Sequence, residues 1–186
     1  MAYEEPKYTV VKSYDAFEVR EYAAYNVAEV LVPGPEADVG NQAFPILAGY
    51  IFGKNKGKKS LEMTAPVSQT PVPVKMEMTV PVTQKAATGG FFVLQFVMSS
   101  AYTLQTLPEP TDTRVKLKEM PAKKMAVIRY SGFASQSNYD KQLKVLREAL
   151  SKADIISEGD PVYMRYNSPF TLPFLKRNEI GLQVSQ

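Results

Sequence analysis

Leu61-Glu-Met-Thr-Ala-Pro-Val67 and Met76-Glu-Met-Thr-Val-Pro-Val82 are near-identical heptapeptides that start 15 residues apart. In each, the first, third, fifth and seventh residues are apolar, and this alternation is typical of a strand with one buried face. Pro66 and Pro81 fall on the opposite faces, where a residue without an N–H marks an edge position or a bulge. The pair therefore predicts two strands joined by a turn or loop through Pro71 and Pro73.

Regular patterns extend from this pair toward the start of the chain. Alternating apolar and polar residues predict strands at Tyr8–Ser13, Phe17–Tyr22 and Asn26–Val32. Residues 37–52 follow with the spacing of an amphipathic helix, shown by Ala43, Leu47, Tyr50 and Ile51. Because proline lacks the N–H that the helical ladder needs, we expect the regular helix to begin near Phe44, with Pro45 in its first turn.

The same order of patterns returns toward the end of the chain. The predicted strands are Phe91–Met98, Arg114–Glu119, Lys123–Ser131, Val162–Tyr166 and Asn178–Val184. Between them, Ser135 or Ser137 caps a predicted helix that reaches about Ala153 and buries Tyr139, Leu143, Leu146 and Leu150. Because the series strand, strand, helix, strands occurs twice, we expect one α+β domain over all 186 residues. It would be a distorted antiparallel β-barrel or curved sheet from two duplicated halves, flanked by two α-helices.

The chain contains no histidine and no cysteine. Disulfides, Cys/His zinc sites, cysteine nucleophiles and Ser-His-Asp triads are thereby excluded. The remaining carboxylate, lysine, tyrosine, serine and threonine side chains show no catalytic spacing, so we expect a binding protein and not an enzyme. The net charge of +3 is too small and too scattered to indicate a nucleic-acid partner.

The apolar runs of the chain are far shorter than a membrane span. Its first residues lack the basic stretch and apolar core of a secretory signal. We therefore expect a cytoplasmic monomer, or an organellar protein if a transit segment was removed, with a small molecule as its partner and no membrane span.

Several motifs stand in a fixed order along the chain. They are Ala48-Gly-Tyr-Ile-Phe-Gly-Lys-Asn55, Met63–Val67, Met78–Val82, Tyr102-Thr-Leu, Leu107-Pro-Glu-Pro, Arg129-Tyr-Ser-Gly132, Arg165-Tyr-Asn-Ser-Pro-Phe and Pro173–Ile180. Together they resemble the SOUL haem-binding family, over nearly the whole chain from Tyr8 to Val184. Because many elements match in the right order, the resemblance is specific.

The resemblance implies a barrel-like distorted sheet with two helices and a non-covalently bound tetrapyrrole, haem or another porphyrin. It places the ligand in an open apolar groove beside Phe44–Lys54 and under the loop Phe170–Lys176. The side chains expected to form the apolar slot are Leu47, Tyr50, Ile51, Phe170, Leu172 and Phe174. The cations expected to meet the propionates are Lys54, Lys176 or Arg177.

The absence of histidine distinguishes this chain from some animal members of the family. Those members are proposed to hold iron through a histidine at the position that Glu21 occupies here. Axial ligation is then left to tyrosine, methionine, lysine or water, and Tyr50 is the side chain to test first. The resemblance therefore implies a tetrapyrrole carrier, buffer or sensor that binds without histidine ligation.

Three other functions fit parts of the sequence. The fold that the resemblance implies is shared with bacterial drug-sensing domains, so the ligand could be another planar amphipathic molecule. The helix that carries Leu143, Leu146, Leu150 and Asp154 could dock on a partner protein. Glu62 and Glu77 occupy equivalent places in the two heptapeptides, and a pair of carboxylates can perform acid–base chemistry.

Overall fold

The computed structural model describes residues 4–62, 64–72, 90–133, 135–167 and 170–185. Met63, Met78, Glu77 and the whole second heptapeptide, Met76–Val82, lie outside the described residues. The strands are β1 Tyr8–Ser13, β2 Glu18–Tyr22, β3 Tyr25–Pro33, β4 Val67–Val72, β5 Phe91–Val97, β6 Lys116–Met120, β7 Lys123–Tyr130, β8 Ser157–Arg165 and β9 Asn178–Val184. The helices are α1 Glu36–Ile51 and α2 Gln136–Lys152, and a short 3-10 turn covers Pro173–Leu175.

The nine strands form one antiparallel sheet in the order β1-β2-β7-β9-β8-β4-β5-β3-β6. Its two halves repeat one arrangement, because β3, α1, β4 and β5 correspond to β7, α2, β8 and β9. In each half the last strand lies between the other two, so that β5 lies between β3 and β4, and β9 lies between β7 and β8. Strand β4 pairs with β8 where the two halves meet. The predicted fold class, a curled antiparallel sheet with two helices, is confirmed.

Two short links force this sheet to curl. Ala23–Ala24 joins β2 to β3, and Pro121–Ala122 joins β6 to β7, although each link connects strands six positions apart in the sheet. In a flat sheet six strand spacings would measure about 29 Å. A two-residue link spans at most about 11 Å between the flanking Cα atoms. The sheet must therefore bend into a half-barrel that brings β3 and β6 next to β2 and β7.

The two helices cover one face of the half-barrel. Helix α1 packs on β3 and β5 over a core that contains Val30, Leu47 and Phe96, and α2 packs on β7 and β9 over a core that contains Leu146 and Ile180. Side chains that alternate with these point to the opposite, concave face. Tyr22, Met125, Val127, Met164 and Tyr166 pack together there.

Helix α1 begins at Glu36, eight residues before the predicted start near Phe44, so that prediction was wrong. The first two turns are helical because Val39 and Ala43 lie completely buried against the sheet. Pro45 stands inside the helix on its exposed side. Burial of these two residues outweighs the cost of the missing N–H at Pro45.

The described residues of the first heptapeptide are irregular before Val67, so the prediction of a strand over Leu61–Val67 was wrong. Leu61 packs under α1 whereas Ala65 packs on the concave face, so the two do not share one face of a strand. The hydroxyl of Thr64 donates to the carbonyl of Val97, and the N–H of Ala65 donates to the carbonyl of Glu4 at 3.0 Å. Regular pairing begins only at Val67. Pro71, predicted to lie in a turn, pairs with Phe92 inside β4.

Helix α2 has the predicted N-cap and buried face. The hydroxyl of Ser135 accepts from the N–H of Asn138, and Tyr139, Leu146 and Leu150 are buried.

We expect Ser135→Ala to lower the free energy of unfolding by about 1 kcal/mol, because the first turn then loses its acceptor. Urea unfolding measures this. Ser137→Ala is the matched control inside the first turn, and an equal loss in both variants would contradict the assignment of the cap to Ser135.

Candidate functional site

An exposed apolar cluster stands on the loop between β8 and β9. Its side chains are between 55% and 95% exposed, and we call this cluster the loop patch: Phe133, Phe170, Leu172, Phe174 and Leu175. Phe133 joins it because the N–H of Gly132 donates to the carbonyl of Pro173 at 2.9 Å. Single exposed apolar residues are common, whereas clusters of large exposed apolar residues are typical of interaction surfaces.

The backbone holds the loop patch in place. The 3-10 turn Pro173–Leu175 is closed by N–H bonds from Leu175 to Leu172 and from Lys176 to Pro173, at 2.9 and 3.1 Å. The side-chain amide of Asn178 donates to the carbonyl of Gly132 at 3.2 Å, which ties the end of β7 to the start of β9. The patch is therefore attached to the sheet at two points, on a preformed surface.

The three site residues predicted on α1 do not lie at the surface. Leu47, Tyr50 and Ile51 are at most 1% exposed and pack in the core between α1 and the sheet. The three- and four-residue spacing that marked them is the spacing of the sheet-facing stripe of the helix. Their predicted role in lining an open groove is therefore corrected to a role in the core.

Tyr50 is also unsuited to bind iron from outside. Its hydroxyl donates to the carbonyl of Pro108 at 2.8 Å. Burial, with a smaller effect of Tyr102, raises the pKa of Tyr50 to about 12. Since a tyrosine binds iron through its phenolate oxygen, both the burial and the raised pKa oppose ligation, and the prediction of a weak axial ligand is corrected.

The predicted cations differ in their surroundings. Lys54 is exposed just beyond α1, and its side chain folds back over Gly49. Lys176 stands directly after the 3-10 turn and next to the loop patch. Lys176 is thus the predicted cation closest in the chain to the exposed apolar side chains.

Arg177 belongs to a buried charge network centred on Glu179, which is completely buried. Its Nε donates to Glu179 at 3.0 Å, its Nη1 donates to Glu5 at 2.8 Å, and its guanidinium lies 3.8 Å from the ring centre of Tyr166. Arg20 donates to both oxygens of Glu179 at 2.9 and 3.3 Å. These contacts give Arg177 a structural role, and its predicted propionate-binding role stays a prediction.

The network satisfies the hydrogen-bonding capacity of Glu179, because the hydroxyl of Tyr166 donates a fourth bond at 2.8 Å. Burial opposes the charge of Arg20, but the hydrogen bonds and charge of Glu179 outweigh it and raise the pKa of Arg20. Burial, opposed by Arg20, raises the pKa of Tyr22 to about 12. Glu179 likewise raises the pKa of Arg177, so Arg20 and Arg177 stay charged inside the half-barrel across the physiological pH range.

The structure also shows where the residues lie that suggested a protein-docking role and an acid–base role. Leu146 and Leu150 are at most 2% exposed, so the apolar face of α2 already packs on the sheet. Glu62 is exposed, and its proposed partner Glu77 lies outside the described residues. Among the described side chains, no group of three or more acidic residues is placed to hold a metal. In the same part of the chain, neither helix combines the length and hydropathy of a membrane crossing.

Sequence reasoning missed three parts of this surface and network. Phe133 was not singled out, although Gly132 marks the turn that brings it to the loop. Leu175 was not predicted as a site residue, although it directly follows Phe174. The pair Arg20–Glu179 joins residues at opposite ends of the chain, and no local pattern indicates it.

Comparison with known structures defines the class of fold. The chain resembles the C-terminal domain of EcmrR, with a TM-score of 0.65 and 12% identity over 96% of this chain and 98% of that one. A hydrolase from Listeria innocua follows at 0.62 and 11%, over 94% of each chain. SAV2435 bound to tetraphenylphosphonium aligns at 0.52 and 9%, over 91% of this chain and 93% of that one. At these identities the likeness shows the α+β half-barrel fold alone.

The family is shown by the sequence. The family model described as SOUL heme-binding protein matches residues 3–183, and the chain belongs to this family. A search of curated proteins finds no significant match.

Proposed function

We propose that this chain binds haem or another tetrapyrrole at the loop patch, without covalent attachment and without histidine ligation. The observation that carries the proposal is the exposure of four large apolar side chains on one anchored loop and of Phe133 after β7, in a member of the SOUL family. The protein would act as a carrier, buffer or sensor and would not transform its ligand.

The loop patch supplies what a porphyrin needs. Phe133, Phe170 and Phe174 offer aromatic surface to a flat macrocycle, and the contact removes apolar area of both partners from water. Because the 3-10 turn and the bond from Gly132 fix the loop before binding, little ordering entropy opposes association. Lys176 at the end of the turn carries the charge that a propionate would meet.

Iron is the less important part of the proposed ligand. The chain has no histidine and no cysteine, and the hydroxyl of Tyr50 is engaged in the core. Binding therefore depends on contact with the macrocycle. We expect metal-free protoporphyrin to bind with an affinity within about tenfold of that of haem. One weak axial ligand to the iron would add little more than about 1.4 kcal/mol to the binding free energy, which corresponds to this tenfold difference.

The proposal is tested by titrating haem and following the Soret band. We expect Phe170→Ala/Phe174→Ala to weaken binding at least tenfold, because each ring contributes about 1 kcal/mol or more of buried aromatic contact. Both side chains are at least 70% exposed, so the variant should keep its thermal stability.

Ile156→Ala is the matched control, since Ile156 is 74% exposed and precedes β8 at a distance in the chain from the loop patch. It should bind haem like the unchanged protein. The absence of a saturable Soret shift at micromolar haem would overturn the proposed function. Equal affinity of the double variant and the control would remove the loop patch as the site.

A further inference from the structure

A second cavity lies on the concave face, at the bend where β2 continues into β3 and β6 into β7. We call it the seam pocket. Its volume is about 290 Å³, and seven strands contribute to its wall, with Tyr25, Lys118, Met120, Lys123, Met125 and Val162 among the lining residues. It exists because the two-residue links at Ala23–Ala24 and Pro121–Ala122 bring the two halves of the sheet together.

The floor of the seam pocket is apolar and adaptable. Met120 and Met125 lie in it with Val93 and Val162. An added β-carbon at Gly181 would lie 2.4 Å from Cε of Met125, so the missing side chain at Gly181 makes room for this methionine on the sheet. Unbranched thioethers fit ligands of varied shape. The floor therefore suits the apolar body of a small molecule.

Lys123 is the unusual polar group of the pocket. It is half-buried, and within the described part of the chain no carboxylate forms an ion pair with its ammonium group. Burial, followed by the charge of Lys118, lowers the pKa of Lys123. A cation that is partly removed from water and lies near a second cation is stabilised by any anion that enters.

The acidic side chains of the pocket are hydrogen-bonded or exposed to water. Glu29 accepts from the amide of Gln95 at 2.7 Å, and Glu158 accepts from the hydroxyl of Ser185. Glu158 and Asp160 are exposed at the mouth, where solvent and salt screen them. Glu29 is also half-buried without an ion pair, but the amide of Gln95 stabilises its charge, whereas the ammonium group of Lys123 has neither an ion pair nor a hydrogen bond among the described residues.

We propose that the seam pocket binds a small amphipathic carboxylate, whose charge meets Lys123 and whose apolar body packs on Met120, Met125 and Val162. Lys118 supplies a second positive charge. At about 290 Å³ the pocket is at the lower end of the range for small-molecule sites, about 300–1,000 Å³, and it is too small to enclose a porphyrin. This site is separate from the loop patch and does not depend on the tetrapyrrole proposal.

Calorimetric titration with octanoate, 2-naphthoate and octyltrimethylammonium tests the proposal on the full chain. We expect at least one carboxylate to bind in a 1:1 ratio and at least tenfold more tightly than the cation. Lys123→Met should weaken that binding at least tenfold and keep the thermal stability, because no ion pair is lost. Lys124→Met is the control, since Lys124 is the next residue of β7 and points to the other face.

A second measurement follows the lysine itself. Bound octanoate should slow acetylation of Lys123 relative to Lys124, as read by mass spectrometry. Preference for the cation, no saturation by either carboxylate at millimolar concentration, or unchanged affinity in Lys123→Met would overturn the proposal. Octanoate should bind equally well with and without haem, and competition between them would overturn the assignment of two separate sites.

Discussion

Glu179→Ala is expected to lower the free energy of unfolding by about 3–5 kcal/mol. The substitution removes both bonds that Arg20, which is 4% exposed, makes to Glu179, and it leaves the bond from Nε of Arg20 to Glu18 at 2.8 Å. It also removes the acceptor of the hydroxyl of Tyr166 and of Nε of Arg177. Two nitrogens of a buried guanidinium and the hydroxyl of a buried tyrosine then lose the carboxylate oxygens that accepted from them. Urea unfolding at neutral pH measures the loss.

The pair Lys56–Glu109 provides the matched control for this effect. Both side chains are 66% exposed, and their charged atoms lie 2.6 Å apart. We expect Glu109→Ala to change the stability by no more than about 1 kcal/mol, because solvent replaces the lost contact. Arg20→Met/Glu179→Leu should recover most of the loss, since apolar residues of similar volume can replace a buried ion pair. A loss below about 1 kcal/mol in Glu179→Ala would contradict the burial of this network.

Tyr50→Ala is expected to cost about 3–5 kcal/mol of stability, because it leaves a cavity beside Leu47 and Ile51 in the core under α1. Tyr50→Phe keeps the ring and loses only the bond to the carbonyl of Pro108, for an expected cost of about 1–2 kcal/mol. With haem added, Tyr50→Phe should show the same absorption spectrum as the unchanged protein. Denaturant unfolding and haem spectroscopy on the same samples give both results.

Phe52→Ala is the control for the position of Tyr50. Phe52 follows directly after α1 and is 65% exposed, so its loss should cost less than about 1 kcal/mol. If Tyr50→Phe removed or shifted an iron band while it left the stability unchanged, Tyr50 would be a ligand and its placement in the core would be wrong.

The sequence predicted those elements whose pattern is local. The buried face of α2 follows from Tyr139, Leu146 and Leu150 at steps of three and four, and its start follows from the capping hydroxyl of Ser135. The early start of α1 was missed because a rule about Pro45 was applied without the contacts of Val39 and Ala43. Tertiary burial outweighed local propensity at this helix.

The curl of the sheet and the charge network could not be predicted from local patterns. Arg20 stands in an alternating strand, and alternation places it on the face away from the core. That face is also buried here, because the half-barrel closes over it. Its partner Glu179 lies 159 residues later in the chain. In α1 the three- and four-residue spacing of apolar side chains fits either a face buried in the core or the wall of a ligand groove. The burial of Leu47, Tyr50 and Ile51 shows that they belong to the core.

The short links between β2 and β3 and between β6 and β7 also determine when the protein can fold during its synthesis. Strand β2 pairs with β7, and Arg20 meets Met125, a residue more than 100 positions later. On the ribosome, the first half of the chain therefore emerges with β2 lacking its β7 neighbour. The half-barrel closes only after β7 and β9 have left the exit tunnel. The two duplicated halves therefore exchange strands, because β2 pairs with β7 and β6 pairs with β3. A cut between the halves would separate these strands from their partners.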